Sequence, residues 1–161
     1  MTTSAPAVPA EFVTLVAKVT ARIDGRPIEP ALTDLLNTEF PPDGPWFSAM
    51  EALCHRGCAE GWLCAREAGG IRFGRPVKPG EPTHGFSVDV VEMDDVVGPH
   101  HSHPNGEIDL VMPLDNKAAF DGVVKGWKVY GPGSAHHPTV SGGKALVLYL
   151  LPQGAIEFTR G

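Results

Sequence analysis

Between Ala10 and Ile23 the apolar residues Phe12, Leu15, Val16, Val19 and Ile23 recur at spacings of three and four, a stripe that predicts one amphipathic helix stopped at Gly25. A second helix is expected from Pro30, carrying Leu32, Leu35, Leu36 and Phe40 before Pro41-Pro42 breaks it. A third follows Asp43-Gly44-Pro45 and turns Phe47, Met50, Leu53, Cys54 and Cys58 to one side until Gly57 and Gly61 weaken the pattern. Beyond Gly61 the period falls to two, the apolar runs shorten and turn residues recur at short intervals, the signature of antiparallel strands in a sandwich or barrel. Strands are expected at Trp62–Arg66, Ile71–Val77, Phe86–Met93, around His101, and at Ile108–Met112, Gly126–Tyr130, His136–Val140, Ala145–Leu151 and Ile156–Thr159. Glu67-Ala68-Gly69-Gly70 and Ser141-Gly142-Gly143-Lys144 read as hairpin turns. The chain thus divides into a flexible tail at 1–9, a helical segment at 10–61 and a β barrel at 62–161. The helices are too short and too apolar to stand alone, so they are expected to pack on the barrel or on a second subunit, and a symmetric homodimer is the expected assembly.

A length of 161 residues suits one ordinary domain, or a domain with a small helical extension, and argues against two full-sized domains. The formal charge of -6 repels nucleic acid and anionic lipid, and no apolar run approaches the length of a membrane-spanning helix. The N-terminal MTTSAPAVPA lacks a basic patch followed by an apolar run, so a cytoplasmic location is expected. Three cysteines without a CxxC pair argue against a disulfide framework. Cys54-His55-x-x-Cys58 has the look of a metal half-site, but no second ligand pair with zinc-finger spacing follows, and i, i+4 thiols on a helix read more simply as small core residues.

The chemistry concentrates in the histidines, five of the seven lying between His100 and His137. His101-x-His103 puts two imidazoles on one face of an extended segment, because side chains at i and i+2 share a face. Glu107 follows after the turn Pro104-Asn105-Gly106. With a fourth ligand from the cluster at 136–137, these residues form a three-His, one-carboxylate set suited to a divalent first-row metal such as Fe, Mn or Zn, with coordination positions left open.

In these residues the chain resembles the cupin superfamily. His101, His103 and Glu107 fit its HxHxxxE motif, and Gly131-Pro132-Gly133-Ser134-Ala135-His136 fits PxGxxH with Gly131 in place of the proline. Asp95 and Leu114 stand where the first motif has glycines. A register starting at Pro132 would make His137 the fourth ligand at the cost of the motif glycine. His136 is preferred, because it keeps Gly133 and shares strand parity with Val140. The fold implied is mainly β, a small cupin barrel (double-stranded β-helix) after about three α-helices.

Over nearly its whole length the chain is also similar to the small bacterial 4-hydroxylaminobenzoate lyases, notably in His-Ser-His-Pro-Asn-Gly-Glu-Ile-Asp-Leu-Val-Met-Pro and Gly-Gly-Lys-Ala-Leu-Val-Leu-Tyr-Leu-Leu-Pro. That resemblance implies conversion of 4-hydroxylaminobenzoate and water to 3,4-dihydroxybenzoate and ammonia. Glu107, or an unligated His137 or His100, would carry protons. An aromatic carboxylate asks for a cationic anchor, for which Arg66 and Arg75 qualify by strand parity with Trp62 and Cys64, and with Ile71 and Phe73. Trp127 and Tyr130 are expected in the core. Two other functions use the same ligands: an Fe(II)-dependent cupin dioxygenase, and a non-catalytic ligand-binding cupin.

Overall fold

The computed structural model describes residues 8–158. Three helices lead: α1 (Ala10–Ile23), α2 (Leu32–Glu39) and α3 (Pro45–Glu60). Ten strands follow among the described residues: β1 (Arg66–Ala68), β2 (Ile71–Val77), β3 (Phe86–Val97), β4 (His101–His103), β5 (Glu107–Pro113), β6 (Ala119–Phe120), β7 (Gly126–Tyr130), β8 (Ser134–His136), β9 (Thr139–Pro152) and β10 (Glu157–Phe158). Most of the expected tail, residues 1–7, and the final Thr159 of the last expected strand lie outside the described residues. No helix among the described residues is long and apolar enough to cross a membrane.

The strands form a seven-stranded antiparallel sheet, ordered β1-β2-β3-β9-β5-β7 with β6 also on β9, and a three-stranded sheet ordered β10-β4-β8. On one face of the large sheet Val88, Val90, Ile108, Leu110, Leu146, Leu148 and Trp127 pack against the helical stripes, including Phe12, Val16, Val19, Leu36, Phe47 and Met50. Its other face, with Ile71, Met93, Val111, Val147 and Tyr149, lines the barrel interior. Strands covered on both faces read as unbroken apolar runs, which is why Ala145–Leu151 shows no alternation.

Three sequence expectations are corrected. The strand foreseen at Trp62–Arg66 shares only Arg66 with β1, which takes in Glu67 and Ala68 of the expected turn, because residues 62–65 instead fold back over the end of α3. There the Leu63 N–H bonds the Gly57 carbonyl and the Trp62 ring meets Phe12 edge-on at 5.4 Å. The hairpin foreseen at Ser141–Lys144 is a bulge inside one long strand: Asp94 pairs with Lys144 and Val96 with Val140, so residues 141–143 oppose Asp95 alone. Gly142 and Gly143 have φ of 81° and 139°, and a Cβ on Gly142 would run into the Lys117 carbonyl. Asp95, where the motif expects glycine, takes φ 45° and accepts the Gly142 N–H at 2.8 Å. Finally, the strand foreseen at His136–Val140 breaks after His136, and β9 starts at Thr139. Pro138, with no N–H for a ladder, lies at the break.

Cys54, Cys58 and Cys64 are free thiols buried in the core, as the helical spacing of the first two implies. Burial pushes the Cys54 thiol well up.

Candidate metal centre

β4 is extended, so His101 and His103 point to one face and Ser102 to the other. β8 runs antiparallel to it and sets His136 directly opposite His101. The turn at 104–106 then carries the chain across to the large sheet, where Glu107 opens β5. Gly106 makes that crossing possible: at φ 91° a Cβ would lie 2.5 Å from Ile28 and 3.0 Å from the Tyr130 carbonyl. The result brings one ligand atom from each of His101, His103, Glu107 and His136 within 4.8 Å of one another.

The spacing fits an ion. His101 Nε2 lies 3.4 Å from Glu107 Oε1, while His103 and His136 Nε2 lie 3.2 and 3.4 Å from Oε2. The Nε2 atoms of His136 and His101 are 3.1 Å apart. Ligand atoms about 2.1 Å from a common centre, at right or tetrahedral angles, are about 3.0–3.4 Å apart. These contacts miss hydrogen-bond directions, so His103 Nε2 and both Glu107 oxygens are buried without a hydrogen bond. Buried donors and acceptors aimed at one point and otherwise unsatisfied are what a metal would satisfy. Burial alone would raise the Glu107 carboxyl, but the three imidazoles outweigh it and hold the group well below its usual range.

The histidine tautomers are set from behind. Ser134 Oγ donates its one hydrogen to the Gly131 carbonyl at 2.6 Å, so its 2.9 Å contact with His103 Nδ1 accepts an N–H and leaves Nε2 with its lone pair. His136 Nδ1 donates in the same way to Asp121 Oδ2 at 2.6 Å. Asp121 also accepts the Tyr130 hydroxyl at 2.5 Å and the Thr139 N–H at 2.9 Å. These donors hold Asp121 ionised against the opposing effect of burial. Sequence reasoning missed Asp121, although Asp121-Gly122 is a recognisable two-residue turn signal. Both residues have positive φ, 46° and 87°, between the bridged Phe120 and Val123.

His136 therefore belongs to the cluster, although the parity argument for it does not hold, since His136 and Val140 lie on different strands. His137 is exposed and outside the cluster, its Nδ1 3.3 Å from the Gly98 carbonyl and its ring 4.8 Å from that of His100. Arg66 lies exposed on the edge strand β1, with β2, β3 and β9 between it and β5, and is not brought to the cluster. Arg75 shares a face of β2 with Phe73 and pairs with Asp89 at 2.7 Å and the Gly154 carbonyl at 3.2 Å. Burial, before any other cause, raises the Asp89 carboxyl, and the charge of Glu107 adds to that effect. Trp127 is in the core, stacked on Trp46 at 5.6 Å. Tyr130 corrects expectation: its ring lies 4.5 Å from that of His136, in the wall of the site.

One further acid is buried in the barrel, paired across the sheet with Tyr149. Asp109, two residues after Glu107 on the same face, is buried with neither oxygen hydrogen-bonded. Burial and the adjacent Glu107 charge push its carboxyl well above the usual range.

Residues 14–158 match the family model described as PnbB, 4-hydroxylaminobenzoate lyase. The 4-hydroxylaminobenzoate lyase of Pseudomonas putida is 30% identical over 165 residues, covering 92% of this chain and 94% of that protein. That of Nocardioides sp. (strain LMS-CY) is 33% identical over 132 residues, covering 76% and 78%. Among solved structures, an RmlC-like cupin protein from Ralstonia eutropha aligns at TM-score 0.44 and 12% identity, over 60% of this chain and 64% of that one. A putative acetylacetone dioxygenase from Methylibium petroleiphilum aligns at 0.44 and 15%, over 58% and 68%. A likeness this loose says nothing of substrate or metal. The match over nearly the full length, together with relatives at 30–33% identity, shows that the chain belongs to the 4-hydroxylaminobenzoate lyase family.

Proposed function

We propose that the protein is a metal-dependent lyase converting 4-hydroxylaminobenzoate and water to 3,4-dihydroxybenzoate and ammonia. The observation that carries this is the convergence of His101, His103, Glu107 and His136 in a chain of this lyase family. In the overall reaction the N–O bond, the ring C–N bond and the ring C–H bond beside it break, two ring C–O bonds form, and nitrogen leaves as ammonia after gaining two protons, one released by the ring and one by water. Atoms and electrons balance without an external oxidant.

One divalent transition metal held by the four side chains, whether iron, manganese or zinc, would supply Lewis acidity toward the hydroxylamino group or a water. Glu107, kept ionised by three imidazoles, is suited to stay an anionic ligand. Proton transfer then falls to His137, exposed beside His100. Arg75 is the anchor for the substrate carboxylate: it lies on the strand face shared with Ile71 and Phe73, whose side chains belong to the barrel interior. Arg66, on the edge strand, is left out of this assignment. A cytoplasmic homodimer completes the proposal, and a monomer in sedimentation at micromolar concentration would remove the dimer from it.

The test is an anaerobic assay of metal-analysed protein with 4-hydroxylaminobenzoate, following ammonia and 3,4-dihydroxybenzoate, with His101→Ala as control. Product from the wild type and none from the variant is the expected result. No product at full metal occupancy discards the substrate, and turnover that requires oxygen replaces the lyase with a dioxygenase. Glu107→Gln with wild-type turnover and metal retained excludes Glu107 as a proton carrier.

A further inference from the structure

Among the described residues, the large apolar side chain most open to solvent is Phe158, 68% exposed, on β10 at the edge of the three-stranded sheet. Its register is informative. Phe158 pairs with His101, and His101 pairs with His136, so the three rings form one row across the sheet. Cross-strand partners share a face, and here that face is the one turned to Glu107. The Phe158 and His101 ring centroids lie 5.8 Å apart at 74°, yet His101 is only 3% exposed. Ile156, just before β10, packs against the barrel interior. Phe158 is thus an apolar ring beside the ligand cluster whose outer side no other described residue covers.

From this we infer that Phe158 is the wall against which the aromatic ring of the substrate rests, a specificity-determining residue for arenes. The inference rests on the proposed lyase function for the identity of the arene and on the register of β10 for the position of the wall. A flat apolar ring seated beside His101 would cover the open side of Phe158 while one ring substituent reaches the cluster. Aromatic pairs prefer offset or edge-to-face contact, which a single rigid ring at a strand end can supply with little ordering cost. Glu157, on the opposite face and opposite Ser102, takes no part.

The test compares wild type with Phe158→Ala, Phe158→Leu and Phe158→Tyr, each with its metal content measured. Calorimetric titration with 4-aminobenzoate, which has no N–O bond to break, reads ring binding without turnover. Phe158→Ala is expected to weaken 4-aminobenzoate binding and raise KM by roughly 5- to 30-fold, with metal content and kcat little changed. Phe158→Tyr should restore both, and Phe158→Leu only in part. Unaltered 4-aminobenzoate affinity in the metal-loaded Ala variant overturns the inference. So does a loss of metal at constant KM, which would make Phe158 a support for His101, and so does a change in oligomeric state, which would place the ring in a subunit contact. If the wild type shows no turnover, the lyase proposal fails, and the 4-aminobenzoate titration alone decides the role of Phe158.

Discussion

Replacing Asp121 by asparagine tests whether the site depends on a residue that touches no substrate and stands outside the four ligands. The carboxylate accepts three donors: the His136 Nδ1–H and the Tyr130 hydroxyl at Oδ2, and the Thr139 N–H at Oδ1. Asparagine keeps the shape but offers one acceptor oxygen, so its amide nitrogen, itself a donor, must face either Thr139 or the His136 and Tyr130 pair. Both His136 and Asp121 are about 15% exposed, so water compensates little. A hydrogen bond to a charged acceptor contributes about 1.5–3 kcal/mol. Carboxylates behind a metal-binding histidine typically tune affinity by about 10- to 100-fold, or about 1.4–2.7 kcal/mol. The two figures agree. Metal competition against a chromophoric chelator should show Asp121→Asn weaker by about that factor, with one site per chain retained. Tyr130→Phe leaves the carboxylate on His136 and should cost about fivefold or less. An Asp121→Asn affinity within about twofold of wild type would refute the reasoning, because His136 would then be oriented by something other than Asp121.

Other consequences are open to direct measurement. His136→Ala should abolish stoichiometric metal binding and His137→Ala should preserve it, as read by metal analysis after dialysis; the reverse result would make His137 the ligand. In the metal-free protein, burial lowers the His136 pKa, but Asp121 and Glu107 outweigh it and raise the group to about 9. Because the folded value lies above the ordinary 6.5, this stabilisation is complete below pH 6.5 and is lost as pH rises through about 9. Denaturant unfolding of metal-free protein across that window should show the decline. Over the same window apparent metal affinity should rise by about tenfold per pH unit, because loading the site displaces one proton. Gly142→Ala puts a Cβ into the Lys117 carbonyl at a left-handed φ, and urea unfolding should register a loss of about 1–3 kcal/mol.

What the sequence disclosed followed the range of the interactions involved. His101, His103 and Glu107 are set by strand alternation and one short turn, so local spacing sufficed to group them. The α1 stripe was legible for the same reason, and its bounds match Ala10–Ile23. His136 came from motif spacing; the parity argument offered for it fails because the chain breaks at His137-Pro138. Asp121 and Phe158 remained hidden because register between strands distant in sequence decides where they point. Asp109 was hidden in Glu-Ile-Asp-Leu-Val-Met-Pro, where burial on both faces of β5 erases alternation. Gly142-Gly143 carries the same residues as a hairpin turn, and only the pairing of Asp94 with Lys144 and Val96 with Val140 identifies it as a bulge.

The division of the ligands between two sheets has a mechanical consequence. His101, His103 and His136 ride on the three-stranded sheet, whose strands pair over only two or three residues each, whereas Glu107 belongs to a sheet braced on its outer face by the helices. An ion shared by the four side chains would act as a rivet, fastening a lightly built flap to a rigid plate. Chelation would then loosen the flap while leaving the plate intact, and amide exchange should quicken at residues 101–103 and 134–136 long before it does in β3 or β9.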